Sequence, residues 1–170
     1  RGCGVPDDYI GFAQSTHTYK SNLQFCAISY AAPDQAFAER LHDGLEKHRV
    51  RCWLAPDDLK TDDRFRIRME EALKVYSRLF LVLSKNSIES FWIEGEVEAV
   101  LEKERKENKT VLVPIRLDDS ILLTKQPWAV SLRQTHPILD MSRPQDERQY
   151  ERLFTELLQG LNEDKPTREQ

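Results

Sequence analysis

Glycine is scarce in this chain, with six in 170 residues. Neither GxGxxG nor GxxxxGKS/T is among its patterns, which excludes the usual backbone cradles for nucleotide phosphates. Cysteine is rarer still: Cys3, Cys26 and Cys52 cannot all pair, and no CxxC or Cys/His ligand spacing occurs. Cys26 and Cys52 each lie in an apolar run and read as small buried thiols of a reducing compartment. His17, His42, His48 and His136 are scattered without an HExxH pair, so no metal centre is expected. Apolar runs stop at about five residues, against the roughly 18–20 needed to cross a bilayer. No basic start followed by an apolar stretch marks a signal peptide, in a chain that opens on Arg1. Positive charge is also in deficit, with 25 Lys and Arg against 29 Asp and Glu and a pI near 5.6. That balance argues against a nucleic-acid or membrane surface. GxSxG is absent, which removes the serine hydrolases built on an elbow turn. With 39% hydrophobic and 32% charged residues, the expectation is a soluble cytoplasmic domain with a core of its own.

What the chain does contain is an alternation of strand-like and helix-like stretches. Phe25-Cys26-Ala27-Ile28 is the first strand. Pro33 is suited to open a helix whose Phe37, Leu41 and Leu45 recur every four residues. Val50 to Leu54 is the second strand, followed by a polar loop and a helix with Phe65, Met69, Ala72, Leu73 and Tyr76 on one face. Leu79-Phe80-Leu81-Val82-Leu83 is the third strand. A helix from Ser90 to Glu107 buries Ile93, Val97, Val100 and Leu101, while Glu98, Glu102, Glu104 and Glu107 form its solvated face. Val111 to Ile115 is the fourth strand, 118–133 reads as irregular, and Pro137-Ile138-Leu139 is a short fifth strand. The last helix carries Tyr150, Leu153, Phe154, Leu157, Leu158 and Leu161.

Strands apolar at every position are covered on both faces, and strands separated by helices must be parallel. The expected fold is therefore an α/β three-layer sandwich of about five parallel strands in the order 2-1-3-4-5, with helices on both faces. Ligands in such sheets bind at the carboxyl ends of the strands where the order reverses, which directs attention to Ser29–Asp34 and Ser84–Glu96. A phosphoacceptor receiver would need acidic residues after the first strand and an aspartate ending the third. Ser29-Tyr30 and Ser84-Lys85 stand there instead.

Trp92 and Glu96 are four residues apart, so they stack on one face at the start of a helix, where an ionised carboxylate is favoured. An indole beside a carboxylate suits a sugar bearing a flat base. On spacing alone, an ordinary amphipathic helix is the stronger reading.

Four segments together carry a family likeness. Phe25-Cys26-Ala27-Ile28-Ser29-Tyr30, Arg51-Cys52-Trp53-Leu54-Ala55-Pro56-Asp57-Asp58-Leu59, Leu81-Val82-Leu83-Ser84 and Trp92-Ile93-Glu94-Gly95-Glu96 resemble a TIR (Toll/interleukin-1 receptor) domain of the bacterial type. The likeness runs from about Gln24 to Leu161 and implies a flavodoxin-like order. It places a domain over 23–162, a lead-in over 1–22 and a loose tail over 163–170. The lead-in, Arg1 to Ile10, resembles the exit of a pentapeptide-repeat segment.

The resemblance further implies that Glu96 holds the catalytic glutamate position of members that cleave NAD⁺. NAD⁺ is then a substrate, and no cofactor is implied. Ser29, Tyr30, Leu59, Lys60 and Trp92 become candidate NAD⁺-binding residues. Trp53, inside a strand, reads as core. Asp57, Asp58, Leu59, Lys60, Thr61, Asp62 and Asp63 become the family's BB loop, an interface to other TIR domains. Asp62 stands where that loop usually has glycine. Two functions follow as alternatives. One is an NAD⁺ glycohydrolase of bacterial immune or stress signalling, switched on by self-association. The other is a non-catalytic scaffold that binds other TIR domains. Nucleoside deoxyribosyl transfer is a distant third.

Overall fold

The computed structural model describes residues 24–55 and 70–163. Strands β1 (Gln24–Ser29), β2 (Val50–Ala55), β3 (Arg78–Leu83), β4 (Leu112–Arg116) and β5 (Leu139–Asp140) form one sheet in the order β2-β1-β3-β4-β5. Every neighbouring pair is parallel, with Cys26 opposite Cys52, Ile28 opposite Phe80 and Leu81 opposite Pro114. This is the expected flavodoxin-like α/β arrangement. Helix α1 (Gln35–Lys47) follows a short 3-10 turn at Ala32–Asp34 that contains Pro33. A helical stretch at 70–75, α2, precedes β3. Helices α3 (Lys85–Ile88) and α4 (Ile93–Glu107) connect β3 to β4, α5 (Ser120–Leu123) and α6 (Pro127–Thr135) connect β4 to β5, and α7 (Glu147–Glu163) comes last.

Side-chain parity divides the core into two. Leu79, Leu81 and Leu83 of β3 face the layer built from Leu73 of α2, Ile93, Val97 and Val100 of α4, and Trp128 and Leu132 of α6. Phe80 and Val82, one residue out of step, face Phe37, Leu41 and Leu45 of α1 with Tyr150, Leu157 and Leu161 of α7. Each fully buried leucine or phenylalanine removes apolar surface worth about 1.5–3 kcal/mol from water. A strand apolar at every position is thus required by the layers on both sides. Trp53 lies in the first layer and stacks on Tyr76 at 6.1 Å. Cys26 and Cys52 are free and buried side by side in the second. Contact with the Cys26 thiol, followed by burial, pushes the Cys52 thiol far above its ordinary range, so it is held as the unreactive thiol.

Three expectations change. The region 118–133, read as irregular, contains α5 and most of α6, with Pro127 in the opening turn of α6. The helix expected from Ser90 begins at Ile93, because the unforeseen α3 occupies Lys85–Ile88 and a turn joins the two. Glu104 is not on a solvated face. Its Oε1 accepts the backbone N–H groups of Val111 at 2.9 Å and Leu112 at 2.8 Å, and His136 Nε2 lies 2.8 Å from its Oε2. A carboxylate at the end of α4 therefore caps the start of β4.

Position 44 of α1 needs glycine for close approach: a Cβ there would sit 3.1 Å from the Phe154 ring of α7. A Cβ at Gly160 in α7 would meet nothing within 4 Å. Gly160→Ala is expected to stabilise the fold by roughly 0.5–1 kcal/mol through backbone entropy. Gly44→Ala should gain less or lose, because the ring must move. Urea midpoints of the two variants against wild type check this, and equal gains would mean that α1 and α7 do not pack as described.

Among the expected regions, the lead-in over 1–22, the Pro56–Asp63 loop with Phe65 and Met69 after it, and the tail beyond Glu163 lie outside the described residues.

Candidate functional site

After β1 the chain runs outward to β2, then returns past β1 to form β3 on the other side. The reversal puts α1 on one face of the sheet and α2, α4 and α6 on the other, as right-handed crossovers require. Above the ends of β1 and β3 the connections diverge, and that carboxyl edge is where such sheets place their ligands.

Glu96 is found at this edge. It lies in the first turn of α4 and is 4% exposed. Its backbone N–H donates to the Trp92 carbonyl at 3.2 Å. Its Oε2 accepts a hydrogen bond of 2.8 Å from the Oγ of Ser29, the last residue of β1. The Ser29 hydroxyl is neutral, so this contact orients the carboxylate without cancelling its charge. The helix N-terminus favours the ionised form of a group in this turn.

The other candidates separate. Ser29 is fully buried and faces the α4 layer, in step with Ala27 and Ala31. Tyr30 is also buried but belongs to the opposite layer with Phe37 of α1. Adjacent residues of an extended strand point to opposite faces, so the structure brings Ser29 to Glu96 and takes Tyr30 away from it. Trp92 precedes α4 with its side chain packed in the first core layer. The aromatic ring that stands open in this segment is Phe91, 76% exposed. The pattern Ser90-Phe91-Trp92 contains both rings, and only the packing of Trp92 under α4 shows which one is left outside. Leu59, Lys60 and the rest of Asp57–Asp63 lie outside the described residues.

A second polar group closes the edge beside β3. Ser84 caps α3: its Oγ accepts the N–H groups of Asn86 at 3.2 Å and Ser87 at 3.4 Å, while Ser87 Oγ accepts the Ser84 N–H at 2.8 Å. The same Ser84 hydroxyl donates to Asp34 after β1. Ser84-x-x-Ser87 is a serine version of the capping box, which was the available signal for α3. Asp118 after β4 completes the group by accepting the N–H groups of Lys85 and Ser120, both at 2.8 Å. Among the described residues, no cluster of three or more His, Cys, Asp or Glu side chains is arranged to hold a metal ion.

Burial pushes the Asp118 carboxyl up, but the Lys85 and Ser120 N–H groups, the Ser120 hydroxyl and nearby Arg116 outweigh it and hold it below its ordinary range. A carboxyl more acidic in the folded than in the unfolded chain stabilises the fold above the unfolded value of about 3.9. That contribution disappears as the pH falls through the lowered native value. Asp118→Ala is therefore expected to lower the urea midpoint at neutral pH, with the gap to wild type narrowing as the pH falls below the unfolded value. A gap independent of pH would show that the charge plays no part.

The TIR domain of the Toll-related receptor TRR-2 from Hydra magnipapillata superposes with a TM-score of 0.56 at 14% identity, covering 83% of this chain and 98% of that one. The TIR domains of the activated Roq1 resistosome, which directly recognises the pathogen effector XopQ, give a TM-score of 0.49 at 18% identity over 84% of this chain and 85% of that one. Among curated proteins, none matches the chain. The family model described as TIR domain matches residues 27–154. Since that match extends from inside β1 into α7, over well more than half of the sequence, the chain belongs to the TIR domain family.

Proposed function

We propose that this TIR domain is an NAD⁺ glycohydrolase in which Glu96 is the catalytic residue. The observation that carries the reading is a single buried carboxylate, oriented by the Ser29 hydroxyl, at the carboxyl edge where the strand order reverses. The reaction breaks the bond between the ribose C1′ and the pyridinium nitrogen. The bonding pair leaves with nitrogen, so the departing nicotinamide is neutral and needs no general acid. What has to be stabilised is the positive charge developing on the ribose ring, the oxocarbenium character common to glycosyl transfer. A carboxylate that grips the ribose hydroxyls opposes that charge and fixes the sugar. Water then adds at C1′ and loses a proton, giving ADP-ribose. Capture by a nitrogen of the adenine ring gives a cyclic product instead.

The same edge supplies a reason for activation by self-association in bacterial immune or stress signalling. Phe91 and Leu123, each 76% exposed, and Leu122 are large apolar side chains open to solvent on the segments following β3 and β4. These side chains favour contact with another protein surface, and they are also what the scaffold reading uses. No helix among the described residues is long and apolar enough to cross a membrane, and the domain is read as working in the cytoplasm on NAD⁺ and other TIR domains. The chain is incubated with NAD⁺ at rising protein concentration, and nicotinamide release and oligomeric state are followed together. Release per molecule that climbs with assembly is expected. Oligomers that form with no loss of NAD⁺ at any concentration leave the scaffold.

A further inference from the structure

We propose that Ser29 is a positioning residue for Glu96, setting the orientation in which the carboxylate meets the sugar, rather than a residue that touches the substrate. This rests on the glycohydrolase reading of the same site. Three observations carry it. Ser29 is 0% exposed, and its hydroxyl is turned to Glu96 rather than to solvent. It belongs to β1, which is hydrogen-bonded on both sides, with Ser29 opposite Ala55 of β2 and Leu81 of β3. It is therefore held from both sides within the sheet. Its neighbours on that face are Ala27, Ala31, Ala55 and Leu81, a wall in which a hydroxyl is retained only with a partner.

That partner is Glu96 Oε2, 67 residues further along the chain and 2.8 Å away. A carboxylate on a side chain with three rotatable torsions samples many directions unless one oxygen is held. Holding Oε2 from the strand fixes the plane of the group relative to the sheet. A hydrogen bond to the charged form also favours that form. Both effects act at the reacting group; the alanine methyl matches the alanines around it, and the lost hydrogen bond to the buried Oε2 adds its own cost in stability.

The test compares wild type, Ser29→Ala and Ser29→Thr in the 170-residue chain. With nicotinamide release as readout, Ser29→Ala is expected to lower kcat on the order of tenfold with KM for NAD⁺ nearly unchanged, since orientation and not binding is lost. Independently of turnover, the Glu96 carboxyl is titrated by carbon NMR, with its resonance assigned by its absence in Glu96→Gln. Removing the hydroxyl is expected to move the midpoint up by about one pH unit. Ser29→Thr, which keeps the hydroxyl, should return both quantities toward wild type. An active wild type with unchanged kcat in Ser29→Ala overturns the proposal and leaves the glycohydrolase reading intact. So does a fall in kcat with an unmoved Glu96 titration. A wild type that releases no nicotinamide at any concentration overturns the glycohydrolase reading, and the role of Ser29 with it.

Discussion

Glu96→Gln is expected to lower nicotinamide release from NAD⁺ by at least about a hundredfold while leaving the melting temperature close to that of wild type. Glutamine matches glutamate in shape, and its carbonyl oxygen still accepts the Ser29 hydrogen bond that Oε2 receives at 2.8 Å. The change therefore removes charge and little else. A loss of this size means that the negative charge itself opposes the developing charge on the ribose. Glu96→Ala separates the two contributions: it should be as inactive and also less stable, by about 1–3 kcal/mol, because the Ser29 hydroxyl is stranded beside a void. Turnover by Glu96→Gln equal to wild type would place the chemistry elsewhere.

The largest effect on stability is expected at a second, half-buried acid of the same helix, Glu104. Glu104→Ala removes the acceptor for the Val111 and Leu112 N–H groups and the partner of His136 at one stroke. Its side chain is only 14% exposed, so water does not readily replace what is lost. Stranded donors of this kind cost about 3 kcal/mol together, or a fall in melting temperature near 10 °C for a domain of this size. Glu104→Gln keeps one carbonyl for the two N–H groups and should lose about half as much. Glu102→Ala is the internal control: Glu102 pairs with Lys106 on the exposed side of α4, where a substitution stays within about 0.5 kcal/mol. A Glu104→Ala protein no less stable than Glu102→Ala would contradict the capping role. Release of nicotinamide per folded molecule should be unaffected, since Glu104 lies near the far end of α4 from Glu96.

The layers and the strand order were legible because β3 carries apolar residues on both faces and helices separate the strands. The place of Glu96 at the carboxyl edge was legible because that edge, at the order reversal, can be located without coordinates. The directions of Ser29 and Tyr30 were harder. Which of two adjacent strand residues points toward α4 depends on the face that α4 covers, and hence on the hand of the crossover. Glu104 was misread for a different reason. Its charge groups it with Glu98 and Glu102, but the helical period sets it on the buried stripe of Ile93, Val97 and Val100, where the start of β4 supplies its partners. The helices inside 118–133 were hidden by their length. A four-residue and a nine-residue helix show too few turns for a stripe to stand out, although Gln126-Pro127 was a usable start signal.

Helix α4 is tied to the sheet near both of its ends, through Glu96 to the tip of β1 and through Glu104 to the root of β4. Eight residues separate the two ties, about 12 Å along the axis. A rod fastened at two points on the same rigid surface cannot slip by one turn, about 5.4 Å, or roll about its own length without tearing at least one fastening. Ratcheting of this helix is thus closed to the protein as a means of switching. Under the glycohydrolase proposal, activation then acts by completing the space over Glu96 and not by sliding the helix that carries it.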